Sequence, residues 1–438
     1  MSTEPRNLNI NVHHVTRVEG HGNIVVNVKS GKLEKCELNI VEAPRFFEAF
    51  LRGRSWKEAA LITSRICGIC SPGHQLTSLK ATEDAFGVRI SEQTELLRKV
   101  LVGGSILQSH ILHVYFLVSP DLMGVPSVIP LVATHPAVVK RALKLKKLAN
   151  DICDVVGGRA VHPITMIPGG VTKVPSAAAL TELRKRLVEA VPDIEATVEL
   201  VASLAGKLPS FTRDTEYISL GGGNGEFPLY DGQICSSDTG LTPDKNYRKM
   251  TNERVVPHST AKHAAANRES YMVGALARCN NNQKKFNATA KKAAKALGYA
   301  APCTNPYFNN VCQVIECGQV VEDTIGWIDK LLVMGPKDEK VDVKPRAGTG
   351  VGCTEVPRGI LYHEYTYDDS GTVIDANCVI PTGQNLANID CDMRKLVPEM
   401  LDAGKAEDEI TFALEMLVRA YDPCISCSAH LLDVKFVK

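Results

Sequence analysis

Two cysteine pairs at opposite ends of the chain constrain its fold more than any other feature. Cys67 and Cys70 lie in "RICGICSPGH", and Cys424 and Cys427 in "DPCISCSAH". Each pair is a C-x-x-C, a spacing that serves a zinc site, a redox turn or an iron–sulfur cluster. A redox turn needs one pair in a βαβ setting, which neither end shows. A zinc ribbon keeps its pairs within about 20 residues of each other, whereas here most of the 438 residues lie between them. Only tertiary folding can unite these thiols. They therefore predict a closed, soft-ligand site for nickel, zinc or iron inside a large subunit.

The other ten cysteines are scattered singly at 36, 153, 235, 279, 303, 312, 317, 353, 378 and 391. They are expected to be buried apolar thiols. The start, "MSTEPRNLNINVHHV", has no basic segment followed by an apolar run. Neither a secretory signal nor a disulfide framework is expected, which suits a cytoplasmic location.

Alternation over residues 8–42 predicts strands, with "NIVVNVKSGKLEKCELNIVE" a hairpin turning at Ser30-Gly31. From residue 91 the period becomes helical. "SEQTELLRKVLVGGSILQSHILHVYFLV" is capped by Ser91 and stops before Ser119-Pro120. "PAVVKRALKLKKLANDICDVVGG" ends at Gly157-Gly158, and "SAAALTELRKRLVEAVPDIEATVELVASLAGK" is broken or kinked at Pro192. A further helix is predicted over about residues 259–297, and another in "DEITFALEMLVRAY". Short strands return between about 340 and 390.

The expected class is α+β, mainly α, with residues 1–438 forming one compact unit. A central bundle of long helices (91–335) would carry small β-containing lobes (1–60 and 340–392). A C-terminal helix and metal motif (393–430) and a tail (431–438) would follow. Bundles of this kind build metal sites between facing helices.

A net charge of +1 with no basic stripe argues against a nucleic-acid partner. No run approaches the roughly 20 consecutive apolar residues that span a bilayer. "SLGGGNGEF" and "RAGTGVGC" are read as loops, because they lack the strand–helix frame and later acidic residue of a nucleotide site.

Histidines follow both pairs, His74 after Cys70 and His430 after Cys427. The two motifs, R-x-C-G-x-C-x-x-x-H and D-P-C-x-x-C-x-x-H, are accompanied by "RVEGHG", "PRFFE", "GGRAVHP", "PRG" and "IPTGQN". Together they resemble the large, catalytic subunit of nickel–iron hydrogenases, most of all its soluble cytoplasmic branch, and the likeness covers nearly the whole chain. It implies that fold and the reversible cleavage of dihydrogen to two protons and two electrons.

The resemblance also implies roles. All four cysteines would bind nickel, Cys67 and Cys424 terminally, with Cys70 and Cys427 bridging to an iron that carries carbon monoxide and cyanide. Soft thiolates suit nickel. Glu19 matches a proton-relay glutamate, and Arg17 beside it a structural ion partner. Arg358 would lie over the open coordination position near the cyanides, with Pro357 walling off the diatomic ligands. Thr382 would hydrogen-bond the other cyanide. His74 would donate to a bridging thiolate, and Asp422 would pair with Arg358 or orient it. Glu48, His430 and the carbonyl of Cys378 would hold a magnesium or iron ion. Ser109 stands where some members carry an aspartate. His110, His113 and His162 are expected to be satisfied core residues.

No other cysteine set has iron–sulfur spacing, and no nucleotide motif is present. Electrons would therefore leave through an iron–sulfur small subunit, with further flavin/NAD(P), ferredoxin or heterodisulfide-type subunits beyond it. A maturation protease would remove "LLDVKFVK" after His430, once nickel-insertion proteins had loaded the site. Three alternatives differ in what they require. A hydrogen sensor typically lacks such a tail, a quinone-site relative lacks the cysteine pairs, and a structural zinc protein would contain zinc alone.

Overall fold

The computed structural model describes residues 7–223, 225–339 and 341–429. His430 and residues 431–438, with their expected roles as ion ligand and removable tail, lie outside the described residues.

Strands Leu8–Val12, Gly22–Lys29 and Lys32–Ile40 form an antiparallel run whose hairpin turns at Ser30-Gly31, both at positive φ. Ser259–His263 joins this sheet parallel to Lys32–Ile40, followed by Arg254–Val256. The helix expected over 259–297 is therefore absent at its start. "STAKH" buries Ser259, Ala261 and His263, a period of two rather than 3.6. Helix occurs there only at Ala275–Asn282 and Ala288–Ala296, the latter begun afresh by an Asn287 side-chain cap.

Long helices Glu92–Leu112, Pro136–Gly157, Ala177–Leu204 and Phe308–Met334 pack around one large apolar core. Ser91 caps the first, and Pro192 lies within an unbroken third. The stop expected before Ser119-Pro120 does not occur. The chain widens into π-helical turns at His113–Val118 and continues as Ser119–Met123. A wider register accommodates a proline that has no N–H to give. By length and composition residues 92–123 could cross a membrane, yet most of that stretch is buried inside the fold. Apolar periodicity does not single out the Phe308–Met334 helix, because buried polar residues, among them Asn309, Gln313 and Glu316, interrupt it.

"RAGTGVGC" is not a loop. Gly348–Val356 is a strand, antiparallel to Gly359–Tyr367, which in turn pairs with Val373–Val379. "IPTGQN" opens the helix Pro381–Asp402, so strand structure ends at Val379. The helix Ser71–Phe86 lies directly on the Gly348–Val356 strand. A Cβ on Gly350 would come within 2.2 Å of the Ala81 carbonyl oxygen, and one on Gly352 within 2.2 Å of that of Thr77. This close approach sets how far Cys70, at the head of the helix, lies from Arg358, in the turn after the strand. A buried Arg98–Glu83 pair (2.6 and 2.8 Å) ties the same helix to the bundle.

Gly352→Ala must push backbone from backbone. It should lower stability by at least about 1–3 kcal/mol, the usual cost of overpacking. Denaturant unfolding of the intact protein measures this, and an unchanged midpoint would contradict the close-approach reading.

Candidate metal centre

Cys67 leaves the short Ser64–Ile66 turn in an extended conformation, and the N–H groups of Ile69 and Cys70 point at its sulfur (3.3 and 3.0 Å). Cys70 stands at the N-terminus of the Ser71–Phe86 helix, where backbone dipoles favour a thiolate. Cys424 enters the single turn Ile425–Ser428, and its N–H donates to Thr382 Oγ1 (2.9 Å). Folding brings the two pairs together. All four sulfurs lie within 4.8 Å of one another, and each residue is at most 4% exposed. Cys67 and Cys424 are 3.7 Å apart and Cys424 and Cys427 2.7 Å, all free thiols.

Hydrogen bonds from Cys424, Cys427 and Cys67 hold the Cys70 thiol well below its usual range, against the effect of burial. The Cys424 thiol is pushed up by its bonds to neighbouring sulfurs, and that of Cys427 by burial. One thiolate is thus tolerated and further ones are resisted. A soft cation at the centre removes that resistance, because thiolates bind it deprotonated. A buried donor beside the sulfurs, Arg358 Nη1, also has no protein partner, while the His74 ring faces the Cys70 sulfur. Orphan donors cost about 1–3 kcal/mol each, so the donor set fits a nickel–iron group bearing acceptor ligands.

Arg358 is held from behind. Its Nε donates to the Asp422 carbonyl oxygen (2.5 Å) and its Nη2 to Asp422 Oδ1 (2.8 Å). Asp422 has φ +50°, a left-handed conformation that turns both oxygens to one partner. Burial opposes the Arg358 charge, but Asp422 and the adjacent sulfurs overcome it, so the guanidinium stays ionised. Gln313 Nε2 donates to Asp422 Oδ2 (3.1 Å). Pro357 lies in the same turn, and its carbonyl accepts from Arg278 Nη2 (3.0 Å).

His74 forms a chain, with Nδ1 3.3 Å from His363 Nε2 and His363 Nδ1 2.6 Å from the Tyr365 hydroxyl. If Tyr365 donates to His363, then His363 donates to His74, leaving the Nε2 proton of His74 for Cys70. Glu19 runs beside the C-terminal motif: its carbonyl accepts from Ile425 N–H (2.9 Å) and its carboxylate from Ser426 N–H (3.2 Å). The side chain is half-buried. Arg17 instead pairs with Asp121, which also binds Arg419.

Glu48 Oε1 accepts from the Cys378 N–H (2.8 Å), which places those two predicted ion ligands side by side. Burial raises the Glu48 carboxyl, and Lys262 nearby opposes the rise. Ser109 is buried, and its hydroxyl has no protein partner. His110 contacts Glu316 (2.7 Å), His113 contacts Gln313 and the Arg419 carbonyl, and His162 contacts the Ser64 carbonyl.

Sequence reasoning missed three positioning residues. Arg278 holds the Val356 and Pro357 carbonyls between Glu316 and Glu355, immediately before Arg358. His363 backs His74. Arg45 donates to the carbonyls of both Ile66 and Ser426, joining the two cysteine loops. Only Arg45 left a trace, lying within the quoted "PRFFE".

Known proteins are similar to this chain in sequence and fold. The family profile for nickel-dependent hydrogenase matches residues 45–139 and 241–430, and one described as HoxL-like matches residues 9–43. The alpha subunit of sulfhydrogenase 1 of Pyrococcus furiosus is 35% identical, over 97% of this chain and 98% of its own. The beta subunit of the NAD-reducing hydrogenase HoxS of Cupriavidus necator is 29% identical, over 95% and 94%. The crystal structure of an NAD+-reducing [NiFe]-hydrogenase in the H2-reduced state superposes with a TM-score of 0.86 at 26% identity, covering 98% of this chain and all of that one. With that profile and these relatives, the chain belongs to the nickel-dependent hydrogenase family, as a catalytic large subunit that cleaves hydrogen at a nickel–iron centre.

Proposed function

We propose that Cys67 and Cys424 bind nickel terminally while Cys70 and Cys427 bridge it to an iron bearing carbon monoxide and cyanide. The observation that carries this is the convergence of four buried thiols beside the unpartnered Arg358 Nη1. When bound, the metal pair supplies a two-electron centre at which dihydrogen is polarised and split.

The protein's part is to hold charge and move protons. Arg358, kept cationic by Asp422, presents its free Nη1 to the anionic ligands, a task suited to a rigid, permanently charged fork. Thr382 Oγ1 accepts from Cys424 N–H, which leaves the hydroxyl proton to donate to a cyanide. Pro357 walls the diatomic ligands from the other side. His74 donates to the Cys70 thiolate, a contact that tunes the metal through its ligand. Glu19 takes the proton released at the sulfurs and passes it outward, since its carboxylate is half-exposed and held against Ser426.

Glu48 and the Cys378 carbonyl, with His430 as the third ligand the resemblance implies, would hold a magnesium or iron ion. A small subunit is the partner that such large subunits share. In this reading it carries iron–sulfur clusters, and flavin/NAD(P), ferredoxin or heterodisulfide-type subunits receive the electrons in the cytoplasm. Nickel-insertion proteins and a protease that removes residues 431–438 complete maturation.

Infrared bands from metal-bound carbon monoxide and cyanide, with one nickel per catalytic chain and iron at least equal to it, test the centre; zinc alone would refute it. Cys427→Ser should abolish hydrogen uptake while the protein keeps its fold by circular dichroism, and retained uptake would overturn the ligand assignment.

Glu19→Gln should slow exchange between D2 and solvent protons by about 10²-fold or more, the usual worth of a positioned acid–base group. Conversion of para- to ortho-hydrogen, which needs no solvent proton, should persist. Equal loss of both would remove Glu19 from the relay.

Asp422→Asn leaves Arg358 charged and buried without its counter-ion, a change that costs about 3–5 kcal/mol. Lower stability should accompany shifted cyanide bands, and bands left in place would separate Asp422 from the site.

A further inference from the structure

A second cluster of ligating side chains lies away from the sulfurs. His258 sits in the turn before the inner strand Ser259–His263, His263 closes that strand, and Asp390 lies two turns into the Pro381–Asp402 helix. One ring nitrogen from each imidazole and one Asp390 oxygen lie within 4.8 Å of one another. They line a cleft of about 150 Å³.

An ordinary core reading accounts for only part of this cluster. His258 Nε2 bonds Asp390 Oδ2 (3.1 Å), and Asp390 Oδ1 accepts from Leu38 N–H (2.9 Å). His263 is only 3% exposed, yet its Nε2 has no hydrogen-bond partner. A buried ring nitrogen without a partner costs about 1–3 kcal/mol, and a hydrogen-bonded core histidine would not leave it so. Burial pushes the His263 pKa down to about 4, so the ring is neutral near pH 7, the form that ligates metal. His258 Nδ1 lies 3.9 Å from Glu37 Oε1, so a second carboxylate stands near the ring without a direct hydrogen bond to it. The two nearby cations do not block the cleft. Arg254 is bonded to the Glu269 carbonyl, and Arg394, half-exposed and 3.8 Å from Asp390 Oδ2, donates its Nε to the Cys36 carbonyl (3.3 Å).

We propose that His258, His263 and Asp390 form a site for a borderline first-row divalent cation, zinc or a neighbour of zinc, distinct from the nickel–iron centre and from the ion at Glu48. Two imidazoles and one carboxylate match the donors such ions prefer, with a fourth position left for water. The bound ion clamps the Ser259–His263 strand and the turn before it to the helix that begins with Pro381 and Thr382. This stabilises the fold by mass action, without a part in hydrogen chemistry.

The test uses the assembled holoenzyme, whose thiols are occupied, exchanged against zinc and freed of excess. One additional zinc per catalytic chain is expected, with an X-ray absorption spectrum showing two imidazoles and oxygen and no sulfur. His263→Ala should weaken zinc binding at least tenfold. Because His263 is buried, His258→Gln, whose side chain reaches solvent, carries the test independently with the same expected loss. Glu48→Gln should leave this zinc in place. The proposal is overturned by any of four results: no additional zinc, a sulfur ligand, a single imidazole, or binding unchanged in both histidine variants.

Discussion

Four thiols buried within 4.8 Å of one another impose the condition that the rest of this fold serves. Left to itself such a cluster resists ionisation beyond the first thiolate, because burial and mutual repulsion penalise each further charge. A metal cation reverses that sign, and only a frame that holds the sulfurs in advance lets it do so without reorganising the chain. The frame is largely backbone. Glu19 accepts from Ile425, Ala429 accepts from Arg45, and Arg45 reaches the carbonyls of Ile66 and Ser426. These contacts draw the first and last segments into one wall around the sulfurs.

A second set of buried charges surrounds the first. Arg358, Arg278 and Arg98 are each buried, and each faces a carboxylate, Asp422, Glu316 with Glu355, or Glu83. Isolated, any one would be costly, since removing a charge from water is repaid only by close partners. Paired, they connect elements far apart in sequence. Burial would raise the Glu316 carboxyl, but the Arg278 charge and its hydrogen bonds bring it down to about 2. That depression contributes stability above the ordinary carboxylate range, which is lost as pH falls through about 2. Charge pairing therefore fixes the turn that presents Arg358, where apolar packing alone would leave it free to slide.

The centre was more legible in the sequence than the fold that builds it. Cys67, Cys70, Cys424 and Cys427 announce themselves because few chemistries need thiols three apart, twice, at both ends. The Ser30-Gly31 hairpin was legible for a similar reason, as a turn residue pair between alternating strands. The strand Ser259–His263 was not, because five residues followed by a run of alanines give too short a period to oppose a helical reading. "RAGTGVGC" reads as a loop because it lacks the frame of a nucleotide site; its glycines are there because a helix backbone lies against them. Arg278 and His363 were invisible for a different reason. Their partners, Pro357 and His74, are adjacent only once the chain has folded.

Closure at the C-terminal motif follows from these observations as a matter of order. Cys424 and Cys427 are placed by contacts to Glu19, Arg45 and Thr382, which belong to elements packed in other parts of the core. The segment between Asp422 and Ala429 contributes only one helical turn of its own. Its geometry is therefore imposed from outside, and it can take that geometry only after the sheet at residues 8–40 and the Pro381–Asp402 helix are in place. Asp422 at positive φ, immediately before Pro423, directs the chain into that slot while turning its oxygens to Arg358. The residue that aims the guanidinium is thus the one that steers the last cysteines home, so the cation and the sulfurs it overlooks are positioned by a single event.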